Sequence, residues 1–295
     1  MRHLDRCPIC SHKADKSRLV YSRARDGLYA CAGCGSLFAN PRCRADQLGD
    51  LYRGQPGRGE PLNLPRQAVL AGRQLHKTVA RLLLRRCPQA FGPGRRALDF
   101  GCGHGIFLDE LRQAGLAALG IELRPDAAEY ARTQLHLDVR TGDESALEEM
   151  DEQSFDLVTA QEVLEHALDP RRTLALLAGR LKVGGWMMLS FPNLQCWRHR
   201  LEGEHWFNIR NPTHFNFFTL RAIRDLLGEL GLAQALRMVF WGGRAGFGPL
   251  RNCLQYLVRA ANLGSDVRLL AQKVAHVAYQ ELAVSQQVTK AVART

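Results

Sequence analysis

The stretch that decides the architecture reads Arg96-Ala-Leu-Asp99-Phe-Gly101-Cys-Gly103-His-Gly105-Ile-Phe-Leu108. Arg96–Phe100 reads as a short strand. Glycines then stand at three alternate positions, and Phe107, Leu108 and Leu111 share one face of a following helix. Glycine lets the backbone approach a ligand closely, and the first turn of a helix offers N–H groups that have no partner within the helix.

The same alternation continues outward. Leu116–Ile121 is a second strand ending at Glu122, and Pro125–Leu135 is a helix with proline in its first turn. Leu137–Thr141 is a third strand, running into Gly142-Asp143. Phe155–Ala160 is a fourth strand, Pro170–Leu181 a helix closed by Gly184-Gly185, and Trp186–Phe191 a fifth strand. Such repeats imply right-handed crossovers, so the fold class is α/β: a doubly wound, mostly parallel sheet with helices on both faces. Ligands then sit beyond the carboxyl ends of the strands. Residues 192–218, rich in aromatics, His and Asn, are too long for a plain connection and read as a substrate loop. Thr219 caps a helix with Leu220, Ile223, Leu226, Leu227 and Leu230 inward, ended by Gly231. Leu232–Trp241 reads as a sixth strand and 249–262 as helical, while Val267–Gln272 fits either a strand or the start of a final helix.

Upstream, four of nine cysteines form an ordered pattern: Cys7-Pro-Ile-Cys10 and Cys31-Ala-Gly-Cys34-Gly35. Two such knuckles supply four soft ligands for tetrahedral zinc. About forty residues carry too little core to fold alone, and a metal supplies the missing stability. A closed four-thiolate site is structural rather than catalytic. Residues 51–61 read as a Gly/Pro/Arg linker, and 64–87 as a basic amphipathic helix with Val69, Leu75, Val79, Leu82 and Leu83 inward. The expected organisation is a zinc ribbon at 1–45 and linker plus helix at 46–94. The cofactor-binding domain follows at 95–245, then a C-terminal helical extension at 246–295 that includes the last strand if Val267–Gln272 is one.

Composition narrows the classes. The 295 residues are 46% hydrophobic and 23% charged, which excludes a disordered or collagen-like chain. The polar N-terminus lacks an apolar signal core, and the odd cysteine count argues against a disulfide scaffold, so a cytoplasmic location is expected. Net charge is +13 over residues 1–96, −9 over 97–195 and +7 over 196–295. An acidic middle suits a cationic cofactor, and basic flanks suit anionic partners.

The spacing at the glycine turn is G-x-G-x-G, not the dinucleotide fingerprint G-x-G-x-x-G. Asp99, two residues ahead of it, would repel a pyrophosphate but can accept from an α-amino group. Glu122 ends the next strand, where a carboxylate can accept from ribose hydroxyls. Asp143, beyond the third strand, can hold an adenine amino group. Together they describe a pocket for an adenosine with an amino-acid tail.

Residues 97–108, 120–132, 155–170 and 181–193 resemble the successive motifs of class I S-adenosylmethionine-dependent methyltransferases. The paired cysteine knuckles, Leu37-Phe-Ala-Asn-Pro41 and Trp206…Pro212-Thr-His214-Phe-Asn-Phe-Phe-Thr219 resemble a ribbon-bearing group of bacterial sugar, polysaccharide and natural-product methyltransferases. The resemblance implies a seven-stranded Rossmann-like sheet, its last strand antiparallel at 264–272. It implies S-adenosylmethionine held by Asp99, Gly101, Cys102, Gly103, Gly105, Glu122, Asp143 and Gln161. Cys7, Cys10, Cys31 and Cys34 would hold structural zinc.

Glu162-Val-Leu-Glu165-His166 resembles the E-x-x-E-H run of ubiquinone-biosynthesis O-methyltransferases, where these side chains relate to a divalent cation. The simpler reading is a turn that braces itself, with Glu162 in reach of both Glu165 and His166. His166 or His214 is the expected general base, with His205 a rival. The leading function is methyl transfer, to oxygen or carbon, on a small-molecule, glycan-linked or lipid-linked acceptor. One alternative is an RNA methyltransferase using the ribbon and basic segment for nucleic acid. Another is a non-catalytic zinc-module scaffold. Phe240–Leu263 could touch a membrane surface as a peripheral contact. The oligomeric state is left open.

Overall fold

The computed structural model describes residues 1–44, 46–48, 66–240 and 264–277. The linker at 51–61, the expected helix at 249–262, the Phe240–Leu263 membrane segment and most of the expected C-terminal extension lie outside these residues, Phe240 apart. Three strands open the chain: β1 (Arg18–Ser22), β2 (Gly27–Ala30) and β3 (Leu37–Asn40). After α1 (Arg66–Arg86) come β4 (Arg96–Phe100), α2 (Ile106–Gln113), β5 (Ala117–Glu122), α3 (Pro125–Gln134) and β6 (Asp138–Thr141). Next are α4 (Ser145–Glu148), β7 (Phe155–Gln161), α5 (Pro170–Arg180) and β8 (Leu181–Pro192). Then follow α6 (Trp197–Glu202), α7 (Phe207–Arg210), β9 (Asn216–Phe217), α8 (Leu220–Glu229), β10 (Leu232–Phe240) and β11 (Asp266–Lys273).

Seven strands form one sheet in the order β10-β11-β8-β7-β4-β5-β6. β6, β5, β4, β7 and β8 run parallel, and β11 inserts antiparallel between β8 and β10. Strands buried on both faces read as continuous apolar runs, and this explains the ambiguity at Val267–Gln272. Val267, Leu269 and Ala271 enter one core, and Leu270 enters the core on the opposite face. Pairing from Asp266↔Pro192 to Gln272↔Trp186 makes this segment a strand. The last strand of the sheet therefore falls inside 246–295, where the sequence left room for it.

Two local expectations change. Gly184-Gly185 does not close α5, which ends at Arg180; Leu181 already pairs with Phe155. The glycine pair lies inside β8, with Gly184 left-handed at φ +82, where the register with β7 shifts. On α1 the inner face carries Val79, Ala80 and Leu83, while Leu75 is 44% exposed. His76 takes the place expected for Leu75 and packs on Phe107, ring centroids 5.6 Å apart. The one-residue offset, about 100° on a helix, shows how broadly a basic helix can be read.

The remaining four strands make a second sheet, β1-β2-β3-β9. Three belong to the cysteine ribbon, and the fourth comes from the aromatic loop some 180 residues later, pairing Leu37↔Phe217 and Phe38↔Asn216. The loop's aromatics supply the apolar contacts: Trp206, Phe215 and Phe217 are buried with Leu28, Leu37 and Ala39. Among the described residues, no helix is long and apolar enough to cross a membrane.

Candidate functional site

The turn after β4 is built as a cradle. Gly101, Gly103 and Gly105 are all left-handed, at φ +74, +56 and +75. A Cβ on Gly101 would meet Val163 Cγ2 at 2.4 Å, and one on Gly105 would meet Leu137 Cδ1 at 2.6 Å. These two glycines are therefore required by close packing as well as by φ. A Cβ on Gly103 would meet nothing within 4 Å, so that glycine borders open space. Cys102 is 9% exposed and packs with Leu108 and Val139 beneath the turn.

Two acidic side chains converge on the cradle. Asp99 is 2% exposed, and its Oδ1 accepts from Thr159 Oγ1 at 2.6 Å. Burial pushes its carboxyl up to about 7, against the pull of the Thr159 hydroxyl. Glu122, also buried, accepts from Gly103 N and from Arg124 N, both at 2.8 Å. A carboxylate oxygen has two lone pairs, so each still has capacity for a ligand hydroxyl. Asp143 is exposed and accepts from Ser145 N and Oγ at 2.9 and 2.7 Å. These bonds hold its carboxyl below the usual range. Gln161 ends β7 opposite Ser190 of β8, at the carboxyl edge of the sheet. Thr159 was not foreseen; the only signal was a hydroxyl inside the apolar run Phe155–Ala160.

Beyond β7 the chain turns sharply. Glu162 is left-handed, at φ +53, and its Oε1 accepts from Ser190 Oγ at 2.7 Å. Leu164–His166 is a short 3-10 turn. The expected cation group Glu162, Glu165 and His166 assumed a regular helical turn. The left-handed residue instead sends Glu162 to Ser190, and the described residues that converge are Glu165, His166 and His214. Their ligand atoms lie within 4.8 Å of one another.

Glu165 is fully buried, and neither carboxyl oxygen has a hydrogen-bond partner among the described residues. Burial, aided by the nearby charge of Glu162, pushes its carboxyl well above the usual range. His166 Nδ1 lies 2.9 Å from Thr213 O. A carbonyl only accepts, so Nδ1 carries the hydrogen and a neutral ring keeps its lone pair on Nε2. That Nε2 is 4.0 Å from Glu165 Oε1. The His214 ring stands edge-on to His166 with centroids 4.6 Å apart. The structure thus brings the two expected bases together. His205 is 78% exposed on its side chain and lies outside the group.

The four ribbon cysteines also converge. Cys7 Sγ is 3.9 Å from Cys34 Sγ, and Cys10 Sγ is 3.5 Å from Cys31 Sγ. A tetrahedron with Zn–S of ~2.3 Å has edges of about 3.8 Å, so the donor set fits zinc. The knuckles are near copies. Ser11 N donates to Cys7 O at 2.9 Å and Gly35 N to Cys31 O at 2.8 Å. Ser11 (φ +61) and Gly35 (φ +73) take the same left-handed position. Only the second knuckle carries the glycine that such a turn favours.

An open sheet of this strand order, with a glycine-rich first turn and an antiparallel last strand, defines the class I methyltransferase fold. Residues 71–235 match the methyltransferase-domain family, and the chain belongs to it. Among curated relatives, the ubiquinone biosynthesis O-methyltransferase of Paracidovorax citrulli is 40% identical over 108 residues, 34% of this chain and 44% of that protein. The match spans less than half the length of the relative. Among solved structures, a SAM-dependent methyltransferase from Archaeoglobus fulgidus aligns with TM-score 0.50 and 20% identity, covering 67% of this chain and 94% of that one. A Haloferax volcanii complex of the Trm112 methyltransferase activator with a methyltransferase aligns with TM-score 0.54 and 20% identity, covering 71% and 95%. At that identity the structural matches establish the fold.

Proposed function

We propose that this protein transfers a methyl group from S-adenosylmethionine to a small-molecule acceptor, with oxygen the favoured target atom. One observation carries the reading: three left-handed glycines lie beside two buried carboxyls, Asp99 and Glu122, with Gly103 open to a ligand. A nucleotide with an anionic tail would not suit that charge. Asp99 would accept from the cofactor's amino group, Glu122 from its ribose hydroxyls and Asp143 from its adenine amino group. Gly101, Cys102, Gly103, Gly105 and Gln161 would supply the backbone wall. When bound, the cofactor's sulfonium makes its methyl group electrophilic, so the chain has to orient the acceptor and remove a proton.

His166 is arranged for that proton, because its Nδ1 hydrogen is committed to Thr213 O. His214 packs on the His166 ring and would shape the acceptor's path. Burial pushes the Glu165 carboxyl well above its usual range, which disfavours a negative charge beside Nε2. The O-methyltransferase relatives favour oxygen as the methylated atom. A glycan-linked or lipid-linked acceptor fits the ribbon-bearing group that the sequence resembles. Zinc in the four-thiolate ribbon would be structural.

Against the nucleic-acid reading, Arg23 and Arg42 of the basic N-terminal segment point inward to backbone carbonyls and are not offered to phosphates. Calorimetric titration with S-adenosylhomocysteine tests the proposal. Binding in the micromolar range, weakened at least tenfold by Glu122→Ala, is expected. No binding by the folded wild-type protein would refute it.

A further inference from the structure

We propose that the cysteine ribbon is part of the acceptor half of the site, and that Arg23 and Arg42 are positioning residues for His166 and His214. This rests on reading those two histidines as acceptor-side groups. Both arginines come from the ribbon, and both spend their donors on the chain around the histidines.

Arg23 leaves the end of β1. Its Nε and Nη2 hold Asp26 at 2.6 and 2.8 Å. Its Nη1 lies 3.0 Å from His214 O, 3.1 Å from Asn211 O and 3.3 Å from Ile209 O. Arg42 follows β3 and is 2% exposed. It donates to Leu168 O at 2.7 Å and to Asn216 Oδ1 at 3.1 Å, and more weakly to Phe215 O at 3.5 Å. No carboxylate pairs with it among the described residues. Burying an unpaired guanidinium is costly, and an apolar side chain would fill the space at less cost. A planar fork that reaches two separate segments is what arginine adds here.

Asn216 carries the connection onward. Its Nδ2 donates to Leu164 O at 3.0 Å and Ala167 O at 2.7 Å, the two carbonyls that flank Glu165 and His166. Phe215 N donates to Glu165 O at 2.7 Å. His166 Nδ1 then closes the ring on Thr213 O at 2.9 Å. The hydrogen bond that sets the His166 tautomer therefore belongs to a loop whose position is set from the ribbon. The knuckle itself joins in, since Thr219 Oγ1 donates to Cys34 O at 2.9 Å. A change confined to the Arg42 and Asn216 hydrogen bonds should disturb the histidine pair more than the cradle at Gly101–Gly105, which follows β4 and meets the turn after β7 at Val163.

The test uses the full-length, zinc-loaded protein and long-range ¹H–¹⁵N NMR of its imidazoles, with S-adenosylhomocysteine titration alongside. In wild type, His166 should show a single Nδ1–H tautomer. Arg42→Met should give a tautomer mixture while ligand affinity stays within twofold. Arg42→Lys should not restore the wild-type spectrum, because one ammonium cannot span Leu168 O and Asn216 Oδ1 together. If Arg42→Met fails to fold, Asn216→Leu cuts the same connection at its second link. Chelation of zinc should likewise shift the His166 and His214 signals. A folded Arg42→Met or Asn216→Leu protein that keeps the wild-type tautomer overturns the proposal. Failure of the wild-type protein to bind S-adenosylhomocysteine would instead overturn the methyltransferase reading and leave the ribbon coupling standing.

Discussion

Donor binding should be coupled to pH through Asp99. In the free protein burial pushes this carboxyl up to about 7. An ammonium group placed against it would favour the ionised form and lower the value. Binding at pH 6 then has to remove a proton that is largely absent at pH 8. The ratio of the two dissociation constants follows from the fraction already ionised. With a free value near 7, affinity at pH 6 should be about tenfold weaker than at pH 8. Roughly 0.9 proton should be released per ligand at pH 6 and roughly 0.1 at pH 8. Burial, helped by the charge of Arg124, pushes His104 below its ordinary value, so the Asp99→Asn comparison separates the two groups. Calorimetry in two buffers of different ionisation enthalpy measures the released protons directly. Asp99→Asn should bind more weakly and lose the slope. If Asp99→Asn keeps the wild-type slope, or if wild-type affinity is flat from pH 6 to 8, the assignment of Asp99 to the cofactor's amino group is wrong.

Other consequences follow from the same geometry. Glu165 has a folded-state value raised above its unfolded one, so its contribution to stability declines as pH rises through the unfolded value of about 4.5. The neutral Glu165→Gln protein should therefore gain in melting temperature relative to wild type between pH 5 and pH 8; a constant difference would contradict a protonated Glu165. Gly101→Ala puts a Cβ 2.4 Å from Val163 Cγ2 at φ +74. A loss of about 1–3 kcal/mol by chemical denaturation is expected, with weaker S-adenosylhomocysteine binding. Elemental analysis should find one zinc per chain, and Cys31→Ser should lose it together with the folded ribbon. A ribbon that stays folded without zinc would remove the reason for a four-thiolate site.

Much of the fold was legible because local chemistry and global packing agree along β4 to β8. Arg96–Phe100, the glycines at 101, 103 and 105, and the alternation that follows define a parallel α/β sheet by period and punctuation alone. Asp99 and Glu122 were legible for a related reason, since an acid at the carboxyl end of such a strand has few structural uses. The cysteine knuckles show themselves by spacing. Other features are not settled locally. β11 is buried on both faces, so its apolar residues fit a strand or the start of a helix equally, and only its pairing with β8 decides. The two-residue strand Asn216–Phe217 exists only because Leu37 and Phe38 are there to pair with it.

The site divides along the same line. The residue types near the cofactor and the order of the strands are properties of the chain read end to end. Which acids and histidines meet was decided by tertiary structure. A left-handed Glu162 turns its Oε1 to Ser190 while staying beside Glu165, and His214 arrives from 48 residues away to stand against His166. Arg23 and Arg42 look like surface charge in the sequence, yet they are committed to carbonyls 126 to 191 residues away. The physical reason is range. Glycine conformation and strand alternation act between neighbours and are written locally. A hydrogen bond between a ribbon and a distant loop exists only after both have packed on the same core.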